Sequence, residues 1–218
     1  MLFRELFDGQ VFWTFNGLLF QKANYEDFGC NAKEVLSNRI RAFLPNVECL
    51  PASKTVVIMR GLPGSGKSTT AKYIHNELLD FDIHARVLST DNYFETTGKY
   101  IFDRQKLGAA HAWNQSRVYE ALKNGVIPIV DNTNTTIKEM QPYIDMAKEY
   151  GFHVVLVEPS TEWAMDIDEC FKRNTHNVPM EAIKAMIGRY QPTNTLLDKI
   201  YNYLGNKTTL LGMVSPFN

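Results

Sequence analysis

The sequence predicts an α/β protein built on a doubly wound parallel sheet, and three observations support this fold class. From residue 54 onward, short apolar runs alternate with longer segments of helical spacing. The first apolar run leads into the glycine-rich stretch 61–68, which opens a helix. The chain has 218 residues, of which 44% are hydrophobic, so it is long enough to bury one full core. We therefore expect parallel βαβ units with helices on both faces of the sheet.

Each element is predicted from its own pattern. Short β-type apolar runs predict strands at 56–59, 86–89, 126–130 and 152–157. Helical spacing predicts helices at 67–79, 103–124, 136–150, 162–173 and 180–189. The first two helices are expected to bury Ala71, Ile74 and Leu78, and then Leu107, Ala110, Val118, Ala121 and Leu122. Because ligands bind at the carboxyl ends of parallel strands, the residues that follow each strand are site candidates.

Residues 1–52 are predicted to form a small β-rich module ahead of a main domain over 53–218. Asn16-Gly17 is a strong hairpin signal, because both residues tolerate the positive φ of a type I′ turn. In this hairpin we expect Phe15 to lie opposite Leu18 and Trp13 opposite Phe20. After the hairpin we expect a short helix at 31–40 and a strand at 41–44. The aromatic face of the hairpin is typical of a packed core, with base stacking as the alternative.

Charge and cysteine content narrow the function classes. A formal net charge of −1 argues against a generally basic protein, so nucleic acid is expected to bind only through a local patch. The three cysteines lack metal-ligand spacing and are odd in number, which is typical of reduced thiols. The apolar run 11–20 is interrupted by Asn16-Gly17 and is unlike a signal peptide or a membrane span. We therefore expect a cytoplasmic protein without membrane contact.

The stretch 61–68 has the spacing of a phosphate-binding loop. Its glycines let the backbone fold around an anion, Lys67 supplies charge to the β- and γ-phosphates, and Ser68 is placed to bind Mg²⁺. A strand before the loop and a helix after it are the context in which this motif binds nucleoside triphosphates. The predicted nucleotide contacts are Gly61, Gly64, Ser65, Gly66, Lys67, Ser68 and Thr69.

Two aspartates follow predicted strands and are expected at the same sheet edge as the loop. Asp91 is placed to accept a proton from an attacking hydroxyl or to bind Mg²⁺, with an N-cap as the alternative role. Asp131 begins a polar cluster in which Asn132 and Thr133 follow, and all three are predicted to contact the acceptor. A turn-and-cap role is the alternative for this cluster, and it suits the later residues 134–135 better.

The segment 162–190 is predicted to be a helical lid. Arg173 ends one helix, a polar stretch follows, and Val178-Pro179 opens the next helix. A guanidinium brought over a transferring phosphate stabilises charge in the transition state, which raises rates by about 10³–10⁵. The alternative is that Arg173 is a favourable charge at the C-terminal end of a helix dipole.

Together these stretches resemble the polynucleotide-kinase-like branch of P-loop kinases, over about residues 55–191. The resemblance rests on RGLPGSGKST, STD, DNTN and RN-x-H-x-VP, with Ala110-His111 and Asn114 as looser matches. The branch includes phage and bacterial polynucleotide kinases, the kinase-like domain of 2′,3′-cyclic nucleotide phosphodiesterases and AAA-type ATP-binding proteins. The resemblance implies a P-loop kinase fold, ATP and Mg²⁺ as cofactors, and these roles: general base at Asp91, strand-end carboxylate at Asp131, lid arginine at Arg173. It is also compatible with a phage-encoded enzyme that acts in the host cytoplasm.

Two positions depart from the phage-type pattern on the acceptor side. The arginine that grips the acceptor phosphate three residues after the base is replaced by Phe94. The second basic residue of the lid is absent from the stretch 174–177. Acceptor binding is then expected to shift to Lys99, Arg104 or Lys106, and Tyr93 with Phe94 is expected to stack on a base.

The leading functional hypothesis is transfer of the γ-phosphoryl group of ATP to a hydroxyl on nucleic acid, most simply a 5′-OH end. A second hypothesis keeps the donor and changes the acceptor to a hydroxymethyl pyrimidine within DNA or to a small nucleoside. A third, from another class, is an ATP-binding adaptor in which the first fifty residues contact a partner.

Overall fold

The computed structural model of the chain describes residues 55–80, 84–96, 98–204 and 209–214, together with three strands nearer the start. Those strands are β1 (Leu2–Phe7), β2 (Gln10–Phe15) and β3 (Leu18–Gln21), which pair antiparallel in that order. Phe15 lies opposite Leu18, and Trp13 lies opposite Phe20, as the Asn16-Gly17 signal predicts. The predicted helix at 31–40 and strand at 41–44 lie outside the described residues, and a separate module over 1–52 stays a prediction.

Five parallel strands form the main sheet. They are β4 (Thr55–Met59), β5 (Ala85–Leu88), β8 (Ile127–Val130), β9 (His153–Pro159) and β10 (Thr209–Val214). Two further strands, β6 (Glu95–Thr96) and β7 (Lys99–Tyr100), form a separate short antiparallel pair. The strand order in the sheet is β10-β9-β4-β8-β5. The chain therefore runs to one side of β4 and later crosses to the other. Such a switch point is where open α/β sheets bind ligands.

Helices connect these strands. They are α1 (Lys67–Asp80), α2 (Leu107–Lys123), α3 (Ile137–Tyr150), α4 (Ile167–Arg173), α5 (Met180–Gly188) and α6 (Thr193–Leu204). Gly151 ends α3 with φ of 71°, the left-handed conformation that glycine adopts most cheaply after a helix. Asp166 caps the start of α4, where its side chain accepts a hydrogen bond from the backbone N of Glu169 at 2.9 Å.

The core lies on both faces of the sheet, as the predicted doubly wound class requires. Alternate residues of β4 point to opposite faces. Val57 and Met59 pack with Ala71 and Leu78 of α1, whereas Val56 and Ile58 pack with buried residues of α2, α3 and α6. Every residue of β4 is buried. This strand therefore holds the loop that follows it in a rigid framework.

The structure confirms the four predicted strands of the main sheet and corrects two details of the predicted helices. Leu107 was predicted to be buried but is 36% exposed, because α2 begins there after a 3-10 turn and residues 104–109 all face solvent. The helix predicted from residue 162 begins at Ile167, where Asp166 caps it. The sequence reading did not predict α6 or β10. Within the described part of the chain, no helix combines the length and apolarity needed to cross a bilayer.

Candidate functional site

The loop between β4 and α1 depends on glycine. Gly61, Gly64 and Gly66 have φ of 151°, 80° and 95°. A Cβ on Gly64 would lie 2.1 Å from the carbonyl oxygen of Cys170, so α4 packs directly against the loop backbone. Only glycine fits both the positive φ and this close approach.

Residues after β9 bond the outward carbonyls of the loop. The Thr161 hydroxyl donates to the Ser65 carbonyl at 2.8 Å, and Trp163 Nε1 donates to the Gly64 carbonyl at 3.2 Å. In a trans peptide the N–H points away from the C=O, so the Gly66 N–H is directed away from Thr161. The Ser65 hydroxyl is buried and has no hydrogen-bond partner among the described residues. The unpartnered Ser65 hydroxyl and the Gly66 N–H, both at the N-terminus of α1, suit a phosphate group.

Lys67 and Asp131 form an ion pair between the start of α1 and the end of β8. Lys67 Nζ lies 3.0 Å from Asp131 Oδ1, and the two side chains are only 11% and 6% exposed. Asp131 therefore lies beside the phosphate loop, and its predicted contact with the acceptor stays a prediction. Ser68 and Thr69 are exposed in the first turn of α1.

Asp91 lies just beyond β5, at the same sheet edge. The N-cap of the 3-10 turn at 90–94 is Ser89, whose hydroxyl accepts from the Asp91 backbone N, so the alternative role of Asp91 as N-cap is wrong. The Asp91 carboxylate is 45% exposed and accepts a hydrogen bond from the Tyr100 hydroxyl at 3.1 Å. Burial, and then the charge of Asp91, raise the pKa of Tyr100, which keeps that hydroxyl protonated as a donor.

The lid segment (residues 162–190) brings a histidine to Asp91 that sequence reasoning missed. His176 Nε2 lies 3.8 Å from Asp91 Oδ2, and its ring centroid lies 4.3 Å from that of Tyr100. The only sequence signal was its place in the RN-x-H-x-VP pattern. The lid segment and the turn that carries Asp91 are therefore in contact.

Arg173 is held on the lid segment. It pairs with Glu169 at 3.0 Å and stacks over the ring of Trp163 at 4.1 Å, and its side chain is 48% exposed. Lys172 and Arg173 together lower the pKa of Glu169. Because Trp163 also bonds the Gly64 carbonyl, the guanidinium lies one side chain away from the phosphate loop. Its predicted transfer role requires it to leave Glu169.

The polar residues after Asp131 brace the strand ends. Asn132 Oδ1 accepts from the Thr90 backbone N at 3.0 Å, and Asn132 Nδ2 donates to the Tyr143 hydroxyl at 3.1 Å. The Thr133 carbonyl accepts from the Gly61 N at 3.0 Å. These bonds tie the ends of β4, β5 and β8 together. A direct acceptor contact by Asn132 or Thr133 stays a prediction.

On the acceptor side, the structure corrects one expectation and adds one residue. Phe94 is 3% exposed, so it is too buried to stack on a base as predicted, whereas Tyr93 packs edge-on against Trp113 at 5.7 Å. Arg117, which was not predicted, stacks on Trp113 at 4.3 Å and lies 3.4 Å from the Ser89 carbonyl. Burial lowers the pKa of Arg117, and the nearby charge of Arg86 adds to this effect.

Arg60, immediately before the loop, is the centre of a buried network that the sequence reading did not anticipate. Its side chain is fully buried and donates to five acceptors: the Asn134, Thr135 and Gln191 carbonyls, Glu158 Oε1 and Thr193 Oγ1. The Tyr190 hydroxyl also donates to Glu158, at 2.9 Å. The network joins the loop, the polar cluster after β8 and the start of α6.

Comparisons with known proteins agree with this architecture. A family model described as "AAA domain" matches residues 56–193. Human NEDD4-binding protein 2 is 41% identical over 137 residues, which are 62% of this chain and 8% of that protein. A 2′,3′-cyclic-nucleotide 3′-phosphodiesterase from Pongo abelii is 30% identical over 146 residues, 64% of this chain and 32% of that protein. The chain thus spans less than a third of the length of these curated relatives.

A solved structure of a Pnkp1/Rnl/Hen1 RNA repair complex shares the fold. It matches with a TM-score of 0.50 and 22% identity, over 69% of this chain and 47% of that one. The phosphate loop, Asp91, Asp131 and the lid segment all fall within the residues that the family model covers.

Proposed function

The chain belongs to the AAA domain family of P-loop kinase-like domains, and from this premise we propose that it is an ATP- and Mg²⁺-dependent kinase. It transfers the γ-phosphoryl group of ATP to a hydroxyl on nucleic acid, most simply a 5′-OH end. One observation carries the proposal. A half-exposed carboxylate, Asp91, lies at the same sheet edge as the phosphate loop and is oriented by Tyr100.

The donor half of the reaction uses the loop and the start of α1. The Gly66 N–H, the Ser65 hydroxyl and the positive end of the α1 dipole bind the phosphates, and Lys67 turns from Asp131 to the β- and γ-phosphate oxygens. The Ser68 hydroxyl and the Asp131 carboxylate are hard oxygen donors that would suit Mg²⁺. When bound, Mg²⁺ neutralises the charge that develops between the β- and γ-phosphates.

The acceptor half uses Asp91. Its carboxylate takes the proton of the acceptor hydroxyl as that oxygen bonds to the γ-phosphorus, and the bond from the γ-phosphorus to the β-bridging oxygen breaks to release ADP. The Tyr100 hydroxyl holds Oδ1, and the oxygen that takes the proton is Oδ2, which lies 3.8 Å from His176 Nε2 of the lid segment. Arg173, released from Glu169, is placed on the lid segment to stabilise the transferring group.

Two likenesses support nucleic acid as the acceptor class. The relative from Pongo abelii is named for a cyclic nucleotide substrate, and the structural neighbour is part of an RNA repair complex. The chain itself offers three exposed basic side chains, Lys99, Arg104 and Lys106, on the segment that follows the turn of Asp91.

The test is transfer of labelled γ-phosphate to 5′-OH DNA and RNA oligonucleotides. Asp91→Asn is expected to lower kcat by about 10²–10⁴-fold and to leave ATP affinity nearly unchanged, because it removes the proton acceptor alone. Asp145→Asn is the matched control, since Asp145 also accepts from a tyrosine hydroxyl, that of Tyr203 at 2.8 Å, far along the chain from the loop. Loss of ATP binding in Asp91→Asn would mean that this carboxylate serves the metal or the fold instead.

A second acceptor is favoured by one observation. Phe94 occupies the place of the expected acceptor-phosphate arginine and is buried, so a phosphate next to the hydroxyl lacks that partner. A hydroxymethyl pyrimidine within DNA carries its hydroxyl on the base and needs no such contact. The mass gain of a hydroxymethyluracil duplex, measured beside a 5′-OH oligonucleotide, separates the two acceptors. Background ATP turnover with every hydroxyl acceptor would instead favour an ATP-binding adaptor.

A further inference from the structure

Large apolar side chains are exposed on the segment that leads from β7 into α2. Ile101, Phe102, Leu107 and Trp113 are 62%, 52%, 36% and 37% exposed. They fall within thirteen consecutive residues that follow β7 and open α2. Large apolar groups that cluster on a surface mark sites of interaction more often than scattered ones do.

Two of these side chains belong to a continuous set of rings, here called the aromatic array (Tyr93, Phe94, Tyr100, Phe102 and Trp113). Buried Phe94 is its centre, with ring centroids at 5.1 Å from Phe102, 5.5 Å from Tyr93 and 6.2 Å from Tyr100. Trp113 extends the array from Tyr93 at 5.7 Å. The opposite end reaches the site, because the Tyr100 hydroxyl donates to Asp91.

The packing of the array makes its exposed rings rigid. Phe94 is 3% exposed, and its buried ring packs against Tyr93, Tyr100 and Phe102 and restricts their movement. The Arg117 guanidinium stacks on Trp113 and also approaches Ser89 O and Asn92 Oδ1, both at 3.4 Å, in the turn that holds Asp91. A platform fixed in this way loses little side-chain entropy when a flat ligand binds.

The stretch that carries the array has a small excess of basic side chains. From residue 91 to residue 117 the basic side chains are Lys99, Arg104, Lys106 and Arg117, and the acidic ones are Asp91, Glu95 and Asp103. The whole chain carries a net charge of −1, so this stretch is more basic than the rest. Exposed aromatic rings among basic side chains are the combination that binds single-stranded nucleic acids, through base stacking and phosphate contacts.

We propose that the aromatic array is a stacking platform for the unpaired bases of a single-stranded nucleic acid whose terminal hydroxyl lies at Asp91. Phe102 and Trp113 supply the exposed rings, and the neighbouring basic side chains bind the phosphates. The inference rests on the proposed function and extends it, because it names single-stranded ends as the preferred acceptors over the ends of a blunt duplex.

The experiment measures binding and transfer separately. Fluorescence anisotropy of a labelled 5′-OH single strand gives affinity without ATP, and steady-state transfer to the same strand gives KM and kcat. Phe102→Ala and Trp113→Ala are each expected to weaken binding by about 5–150-fold, from about 1–3 kcal/mol per stacked base, and to raise KM while kcat changes little. Phe102→Tyr keeps a ring and is expected to retain wild-type binding.

Tyr119→Ala is the matched control. Tyr119 lies on α2 like Trp113, is 38% exposed, and packs on Tyr150 rather than on the array. Its removal is expected to leave single-strand affinity unchanged. Wild-type protein is also expected to prefer a single strand over the same strand in a blunt duplex.

The outcomes separate this inference from the proposed function. Normal transfer, with unchanged affinity and KM in both alanine variants, overturns the platform and leaves the kinase proposal intact. Binding that is lost in the alanine variants, with no transfer to any hydroxyl, overturns the kinase proposal and supports the platform. Failure of the wild-type protein to bind any single strand overturns the platform, as would an equal loss of affinity in Tyr119→Ala.

Discussion

Arg60 should be among the residues on which stability depends most, although it lies outside the predicted chemistry. Its guanidinium is fully buried and donates to five acceptors, three of which are backbone carbonyls. Lysine has three N–H donors, so Arg60→Lys loses at least two of these five hydrogen bonds, all of which a charged group donates. Each such bond contributes at least about 1 kcal/mol. The free energy of unfolding is therefore expected to fall by at least about 2 kcal/mol.

Thermal unfolding measures this loss. In a domain of this size each kcal/mol corresponds to about 2–4 °C, so Tm is expected to fall by at least about 4 °C in Arg60→Lys. Arg189→Lys is the control, because Arg189 contacts the same polar cluster, through the Thr135 hydroxyl at 3.2 Å, but is 45% exposed. That change is expected to cost under about 0.5 kcal/mol.

A double-mutant cycle tests the ionic part of the network. Arg60→Met leaves the Glu158 carboxylate without its cation and is expected to cost about 3–5 kcal/mol. Adding Glu158→Gln removes the stranded charge and keeps an acceptor for the Tyr190 and Thr193 hydroxyls, so the double variant should recover part of the loss. Equal Tm values for Arg60→Lys and Arg189→Lys, or strictly additive losses in the cycle, would refute the reasoning.

Three further predictions concern the site. Gly64→Ala is expected to cost about 1–2 kcal/mol in backbone strain and, by displacing α4 from the loop, to weaken ATP binding measured by calorimetry. Gly108→Ala is the control and is expected to leave ATP binding unchanged, because a Cβ at that position meets nothing within 4 Å. Unchanged ATP affinity in both variants would contradict the close approach of α4 to Gly64. Tyr100→Phe keeps the ring but removes the hydroxyl that donates to Asp91, so kcat is expected to fall about tenfold while ATP affinity stays constant. An unchanged kcat would show that this hydrogen bond is dispensable. Burial raises the pKa of the Cys170 thiol to about 11, so at pH 8 only about one thiol in a thousand is ionised. Alkylation followed by peptide mass mapping should therefore leave Cys170 unlabelled until the protein is unfolded. Rapid labelling of the folded protein would count against this prediction.

Much of the sheet was predictable, because its signals are local. Thr55–Met59 is a run of strand formers that leads into the phosphate loop, and Gly151 ends α3 where the helical spacing stops. The edge strand β10 was missed although it completes the sheet. Its partner β9 is distant in the chain, and a strand whose place is set by a distant partner carries little signal of its own.

The candidate site was predictable only in part, for the same reason. The loop and Asp91 follow strands directly, so the parallel topology alone brings them to one edge. The contact of His176 with Asp91 and the buried network of Arg60 depend on how the lid segment and α6 pack back on the sheet. Phe94 was expected to stack on a base because it is adjacent to Tyr93, but adjacent residues of this turn point in different directions, and Phe94 points inward.

The strand β10 and the helix before it, α6, also determine the shortest fragment that keeps the core of the kinase-like domain intact. The family model stops at residue 193, yet Leu196, Ile200 and Leu204 of α6 are buried in the core, and β10 pairs with β9 along its whole length. A fragment that ended at the family boundary would expose an unpaired β9 edge and an apolar sheet face, which is a template for aggregation. A soluble minimal fragment for crystallography or transplantation should therefore extend through Val214.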